Sequence, residues 1–221
     1  MIFPELKNKN FGYINLNIEA KEWSLKNQKE KDENQLLDPI ICEKMITDVN
    51  KKYSLDFSYG GWMEDRSFLW RKSYLEQKKI FTHLGVDFNV PTGTEVASDF
   101  DGVVVKIDCD YPLDGGWGTR IIIKHNSLPI YMLYAHLDKD VKCKIREKIV
   151  KGQIFAKVGK APYNGNWFPH VHVQTISSKY FDELENNNGW DNILDGYGHE
   201  NEITQNAKRF RDPMKYISLS N

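Results

Sequence analysis

The sequence has few cysteines and no long apolar segment. Its three cysteines, Cys42, Cys109 and Cys143, lie far apart within 221 residues, and no two of them form a Cys-x-x-Cys pair. This pattern excludes a zinc ribbon or a thioredoxin-type redox site, and the odd number disfavours a disulfide framework. No apolar run approaches the roughly 18 residues that a transmembrane helix needs, so the sequence predicts no membrane span.

A surplus of either charge is also absent. The chain carries 30 Lys and Arg residues against 31 Asp and Glu residues, which gives a formal net charge of −1. A nucleic-acid-binding protein normally shows a basic excess or a basic face, so no nucleic-acid partner is expected. The same balance argues against a polybasic segment that binds membrane surfaces.

The first residues, MIFPELKNKNFGYINLN, lack the apolar stretch of about 7–15 residues that a secretory signal requires. The default expectation is therefore a cytoplasmic protein. The cell envelope or secretion is the alternative, if the chain is processed or exported by another route. Hydrophobic residues (40%) and aromatic residues (13%) are abundant enough to form a packed core, so the bulk of the chain is expected to fold.

Residues 1–80 form a predicted lead-in to the core. An alternation of apolar and polar residues predicts one strand at Ile14, Leu16 and Ile18. Asp38-Pro39 predicts a helix start, with Asp as the N-cap and Pro at the first helical position. The apolar stripe of this helix would consist of Ile41, Met45 and Val49. Residues 57–80 combine aromatic and charged residues with a Gly-Gly turn, which indicates an elaborated lead-in and not a linker.

From Phe81 onward the sequence consists of short β-type runs, such as GVVVKIDCD, TRIIIKH and IYMLYAHL, separated by turn signals, among them Asp101-Gly102 and Asp114-Gly115-Gly116. Many closely spaced short strands predict an antiparallel sandwich or barrel. After Ile176 two segments, KYFDELENNN and ENEITQNAKRF, predict short helices. The predicted organisation is a lead-in (1–80), a β core (81–176) and a helical tail packed on the core (177–221).

Two short strand-like segments place chemically active residues on one face. In His83-Leu-Gly-Val-Asp87 the His and the Asp share a face if the segment is one strand, and Gly85 leaves open space between them. In His170-Val-His172 both imidazoles share a face and can converge on one ion. His136 ends the run IYMLYAHL, and alone it would indicate a core or rim histidine.

These segments together resemble the lysostaphin/LytM-type zinc metallopeptidases. The resemblance runs from about Thr82 to Thr175 and includes HLGVD, VPTGTEVAS, DGVVVKI, GGWGTRIIIKH, YMLYAHLD, VKGQIFAKVG and PHVHV, in that order. The order and the spacing of the motifs both fit the family, and this agreement is far more specific than a His-x-His pair.

The resemblance implies a zinc site with three protein ligands, His83, Asp87 and His172. Three such ligands leave a fourth position for water, which is typical of catalytic zinc. Zinc lowers the pKa of bound water toward ~7 and polarises the scissile carbonyl. His136 and His170 match the catalytic histidines of the family. One would stabilise charge on the carbonyl oxygen and the other would move protons to the leaving amine, in an order that stays open.

The resemblance further implies a mainly β protein: an antiparallel β-sandwich core with an open groove, and here helical elaborations at both ends. The implied function is that of a zinc metalloendopeptidase, a hydrolase that cleaves stem or cross-link peptides of bacterial peptidoglycan in the cell wall. A monomer is expected. One alternative is a peptidase that acts on a non-cell-wall peptide, which the missing signal favours slightly. Another is a non-catalytic regulatory or binding module of the same fold, which the complete set of five residues disfavours.

One loop departs from the family pattern. The family has small residues before its His-x-His pair, whereas this chain has Trp167 and Phe168. We expect both to border the substrate groove, with Trp117 in the glycine turn as a further candidate; burial in the core is the alternative. His199-Glu200 does not complete a His-Glu-x-x-His motif, because position 203 is Ile203.

Overall fold

The computed structural model describes residues 1–27, 33–110, 116–187 and 196–219. The helices in these residues are α1 (Leu16–Asn27), α2 (Pro39–Lys52), α3 (Tyr74–Lys78), α4 (Ser178–Asn186) and α5 (Ile203–Arg209). The strands are β1 (Phe11–Tyr13), β2 (Phe57–Gly60), β3 (Ile80–His83), β4 (Val86–Asn89), β5 (Glu95–Ala97), β6 (Gly102–Cys109), β7 (Thr119–His125), β8 (Ile130–Leu137), β9 (Lys148–Ile149), β10 (Ile154–Lys157), β11 (Val171–Ser177), β12 (Tyr197–His199) and β13 (Phe210–Arg211). The predicted turn at Asp114-Gly115 lies outside the described residues.

Nine of these strands form one sheet in the order β1-β2-β4-β11-β8-β7-β6-β9, with β13 paired to β11. The β1–β2 pair is parallel, because α1 and α2 form the long crossover that a parallel pair requires. The other described pairs of this sheet are antiparallel. Two small antiparallel sheets pair β5 with β10 and β3 with β12. The β-rich core is thus confirmed, but the predicted antiparallel sandwich is not: the main sheet is mixed.

The central strand β8 is buried on both faces. Its residues alternate between two apolar clusters, since successive side chains of a strand point to opposite faces. Met132 and Tyr134 join the larger cluster, whereas Leu133 and Ala135 join the second, which α4 also covers. The site described below lies at one end of the central strands of this sheet.

The lead-in has its own small core between α1, α2 and the loop before β11. Asp38 caps α2 as predicted, because its carboxylate accepts hydrogen bonds from the backbone of Ile40 and Ile41. The strand predicted at Ile14, Leu16 and Ile18 is wrong, because Leu16 begins α1. Leu16, Ala20 and Ser24 are buried at a spacing of four, whereas Ile18 is 55% exposed, so a helical stripe overrides the short alternation.

The tail confirms the predicted helices as α4 and α5, although the last residue of the first segment, Asn188, lies outside the described residues. After α5 the chain returns to the main sheet, where Phe210 pairs with Ile176. Cys42 and Cys143 are buried and Cys109 is exposed, and all three are free thiols. Within the described ranges, no helix is both long enough and apolar enough to cross a membrane.

Candidate metal centre and active site

Three side chains from separate strands meet in one buried cluster. His83 ends β3, Asp87 lies in β4 and His172 lies in β11. One nitrogen or oxygen atom of each lies within 4.8 Å of the corresponding atoms of the other two. Asp87 and His172 are direct register partners in the antiparallel β4–β11 pair, so the ladder itself places them side by side.

The sequence pattern predicts a single strand that carries both His83 and Asp87. This prediction is wrong, because the structure divides the segment into two strands. The segment breaks at Leu84-Gly85, and β3 pairs with β12 while β4 belongs to the main sheet. The open space predicted at Gly85 is filled by His172. A Cβ added at Gly85 would lie 2.6 Å from the His172 ring and 2.5 Å from the carbonyl oxygen of Val173, so only glycine fits here.

Hydrogen bonds orient the two imidazoles of the cluster. His83 Nδ1 lies 2.9 Å from the carbonyl oxygen of Gly61, which can only accept, so Nδ1 carries the proton and Nε2 is bare. His172 Nε2 donates to Gln174 Oε1 at 2.9 Å, which leaves its Nδ1 bare. The two bare nitrogens are 3.0 Å apart, and Asp87 Oδ1 lies 2.9 Å from His172 Nδ1. Three acceptor atoms therefore converge with no proton between them, an arrangement that a cation would stabilise.

Electrostatics keep His83 and Asp87 in the forms that bind a metal. Burial, reinforced by the charge of Arg66, lowers the pKa of His83 to about 4. Burial by itself would raise the pKa of Asp87, but His83 and Arg66 hold this pKa well below its usual range. Near neutral pH the imidazole is therefore neutral and the carboxylate is ionised, as metal ligation requires.

His136 and His170 lie together beside the cluster. Their ring centroids are 4.2 Å apart, and the His136 ring meets the His172 ring edge-on at 6.2 Å. His136 Nδ1 donates to the carbonyl of Asn164 at 3.0 Å, and His170 Nδ1 donates to that of Phe168 at 2.7 Å. Burial lowers the pKa of both imidazoles, so each is neutral at pH 7 with Nε2 as its proton acceptor.

Sequence reasoning missed a second group of residues at the cluster, contributed by the lead-in and the tail. Arg66 is 1% exposed and donates to the carboxylate of Asp87 and to the hydroxyl of Tyr197. Glu64, also buried, accepts a hydrogen bond from Arg66. No local pattern distinguishes an arginine at position 66 from a surface arginine, because the contact depends on packing of segments that are distant in sequence.

A cavity of about 480 Å³ opens beside the cluster. Its lining includes Asp87, His136, His170 and His172 on one side and apolar residues of the lead-in on the other. The predicted groove residues Trp167 and Phe168 border this cavity: Trp167 is half-buried against Trp70 (ring centroids 5.2 Å apart), and Phe168 is 4% exposed and stacks on His170.

Trp117 lies elsewhere. It is 5% exposed, packs edge-on against His172 at 5.6 Å, and is absent from the cavity lining. Its carbonyl oxygen accepts the backbone hydrogen bond of His136. A direct contact of Trp117 with substrate stays a prediction.

Comparison with known proteins gives one family match. Residues 81–183 match the sequence profile described as peptidase family M23. This range contains all five residues that the sequence analysis selected and ends within α4.

Two curated relatives are similar in sequence to part of the chain. The peptidoglycan DD-endopeptidase ShyA of Vibrio cholerae is 32% identical over 128 residues, which are 57% of this chain and 27% of that protein. An uncharacterized metalloprotease of Haemophilus influenzae is 31% identical over 96 residues, 43% of this chain and 19% of that protein. The matched region thus spans less than a third of either relative.

Among solved structures, the catalytic domain of lysostaphin from Staphylococcus simulans aligns with a TM-score of 0.40 at 24% identity, and the alignment covers 62% of this chain and 79% of that one.

Proposed function

We propose that this chain is a zinc-dependent endopeptidase of bacterial peptidoglycan. The premise is that the chain carries a peptidase family M23 domain at residues 81–183, as the resemblance to lysostaphin/LytM-type enzymes predicted. The observation that carries the proposal is the buried convergence of His83, Asp87 and His172 with three bare acceptor atoms. A structural cluster of this kind without a cation would place like partial charges in contact, which is costly in a buried environment.

The donor set fits zinc. Two imidazoles and one carboxylate are common ligands of catalytic zinc. Each imidazole is also oriented by a hydrogen bond from the ring nitrogen that would not bind the ion, Nδ1 of His83 and Nε2 of His172. His83 Nε2, a carboxylate oxygen of Asp87 and His172 Nδ1 would hold the ion. When bound, zinc would supply a water activated near neutral pH and would polarise the scissile carbonyl.

The two outer histidines would handle protons. Since Nδ1 of His136 and of His170 is committed to a backbone carbonyl, Nε2 is the atom that exchanges protons with the substrate. A neutral imidazole first accepts a proton from the attacking water and can then donate it to the leaving amine. To support the charge that grows on the carbonyl oxygen, the second imidazole would first take up a proton at Nε2, because its Nδ1 proton is committed to a backbone carbonyl.

Peptidoglycan is proposed as the substrate because a relative that is 32% identical to this chain over 128 residues is named a peptidoglycan DD-endopeptidase. A second candidate is a peptide outside the cell wall that carries an apolar side chain. The far wall of the cavity favours it, because the lead-in presents Leu16, Leu37, Leu69 and Trp70 there. In either case we propose that Trp167 and Phe168 contact the substrate, and that the division at residues 80 and 176 separates core from elaborations.

The test combines metal analysis with digestion. The purified chain, stripped by a chelator and then incubated with zinc, is expected to retain about one zinc per chain and to release new amino groups from purified peptidoglycan. His172→Ala should lose both properties, because two ligands seldom hold zinc tightly. The matched control is His125→Ala, since His125 stacks on Phe100 and has no contact with the cluster in the described residues.

Three outcomes separate the candidates. Zinc-dependent cleavage of peptidoglycan supports the proposal. Cleavage of apolar model peptides alone favours the second candidate. Stoichiometric zinc without cleavage of any peptide contradicts an enzymatic role and favours a binding module.

A further inference from the structure

Arg66 is a fully buried cation in the lead-in, outside the range that matches the peptidase family. A buried guanidinium is costly unless charged partners compensate it. It follows β2, which pairs with β4 so that Gly60 lies opposite Asp87. The lead-in therefore brings a positive charge to the strand that carries a proposed metal ligand.

The contacts of Arg66 join two acidic residues. Nη1 donates to Asp87 Oδ2 at 2.5 Å and to the Tyr197 hydroxyl at 3.1 Å, while Nε donates to Glu64 Oε1 at 3.2 Å. Glu64 Oε1 also accepts from the backbone N–H of Leu16 at 3.0 Å. A hydrogen-bonded chain thus runs from the start of α1 through Glu64 and Arg66 to the metal cluster.

The site is shaped to hold this side chain. A Cβ added at Gly60 would lie 2.4 Å from Arg66 Nη2, so a larger residue at position 60 would force the guanidinium to shift. Arg66 engages Oδ2 of Asp87, while Oδ1 faces His172 Nδ1 at 2.9 Å. Arg66 therefore restrains the rotation of the carboxylate through Oδ2 and leaves Oδ1 directed at the cluster.

Charge compensation makes this arrangement compatible with a divalent cation. A lone arginine beside the cluster would repel zinc, but the Glu64 carboxylate offsets the guanidinium charge at 3.2 Å. The Glu64–Arg66 pair is thus close to neutral, and the net negative charge that faces the ion is that of Asp87. Outer-shell partners of metal ligands commonly act in this way, by orienting the ligand.

We propose that Arg66 is a positioning residue for the metal site, which orients the Asp87 carboxylate and makes the lead-in part of the centre. The inference rests on the proposed zinc site. It predicts that changes at Arg66 alter the affinity and the coordination geometry of the metal, and do more than weaken the packing of the lead-in.

The experiment compares three variants of the full chain. Arg66→Lys keeps the buried charge but lacks the planar guanidinium whose separate nitrogens donate to Asp87 and Glu64. Arg66→Met removes the charge. Ser58→Ala is the matched control: Ser58 accepts a hydrogen bond from buried Asn89 at 3.0 Å and so joins the same two strands without touching the cluster. For each, zinc affinity is measured by competition with a chromophoric chelator, coordination by the visible absorption of the cobalt(II) form, and folding by the unfolding midpoint of the metal-free protein.

The expected result is a zinc affinity that falls about 10–100-fold in Arg66→Met, a smaller fall in Arg66→Lys, and an altered cobalt(II) spectrum in both. Ser58→Ala should lower the unfolding midpoint and leave affinity and spectrum unchanged. If Arg66→Lys has the same zinc affinity and the same cobalt(II) spectrum as the wild type, the inference is overturned. If Arg66→Met does not fold, the result for Arg66→Lys is sufficient to test the inference. Tighter zinc binding by either variant would also overturn it, because Arg66 would then compete with the metal. Failure of the wild type to bind zinc refutes the proposed function instead.

Discussion

The β core and the lead-in contribute to the candidate site in different ways. The core supplies the three residues of the metal cluster and the two outer histidines. Each of these residues lies in a strand or directly beside one. The lead-in supplies the Glu64–Arg66 pair and the apolar wall of the cavity. In the core, hydrogen-bonded register sets position, as in the His172–Asp87 pair. In the lead-in, the pairing of β2 with β4 brings the Glu64–Arg66 pair near the cluster, and side-chain contacts then set its position.

This difference teaches where each kind of change should act. Substitutions of the core histidines should change metal content or turnover while the fold persists. Substitutions at the interface with the lead-in should change stability and substrate preference, and those of Arg66 should also change metal affinity. The predictions below test this division, in order of decreasing effect.

The largest effect is expected at the outer histidines of the core. His136→Asn and His170→Asn should keep zinc and lose activity by about 10²–10³-fold, because each removes a proton-exchanging group. Asparagine is chosen at position 136 because His136 has a φ of 63°, which Asn tolerates better than Ala. Metal content and the cleavage rate on peptidoglycan check the prediction. Loss of zinc in His170→Asn would mean that the two histidines of the His-x-His pair exchange roles.

A smaller effect is expected where core and lead-in meet. Phe168 is 4% exposed and packs in the small core of the lead-in, so Phe168→Ala should lower the free energy of unfolding by about 3–5 kcal/mol. Trp167 is only half-buried, so Trp167→Ala should cost about 1–2 kcal/mol and reduce kcat/KM about tenfold. Denaturant unfolding and steady-state kinetics measure both. An unchanged kcat/KM in folded Trp167→Ala would remove Trp167 from the substrate groove.

The smallest effect is the loss of stability of the metal-free protein in acid. The pKa of His83 falls from 6.5 to about 4 on folding, so between these values the unfolded chain binds more protons than the folded one. Stability therefore rises with pH across this window and falls on acidification. The lowered pKa of Asp87 acts in the same direction at lower pH. Unfolding of the chelator-treated protein from pH 7 to pH 4 measures this, and His83→Gln should show a shallower dependence. Equal slopes in both proteins would contradict the assignment.

Much of the core followed from its sequence, because short β runs between turn signals and the His and Asp motifs are local patterns. The break of the chain at Gly85 did not, since it depends on the approach of the His172 ring from a strand almost ninety residues away. The helical nature of residues 16–27 was missed because three alternating residues are too few to outweigh a stripe at a spacing of four. Arg66 carried no sequence signal, because its importance arises from the pairing of β2 with β4.

The most direct test of the account is a crystal structure of the zinc-loaded chain with anomalous data collected at the zinc absorption edge. The account predicts one strong anomalous peak per chain, within about 2.0–2.2 Å of His83 Nε2, an oxygen of Asp87 and His172 Nδ1. It also predicts that His136 and His170 remain uncoordinated. A peak bound by either of those two histidines, or the absence of a peak at this cluster in zinc-loaded crystals, would contradict the account.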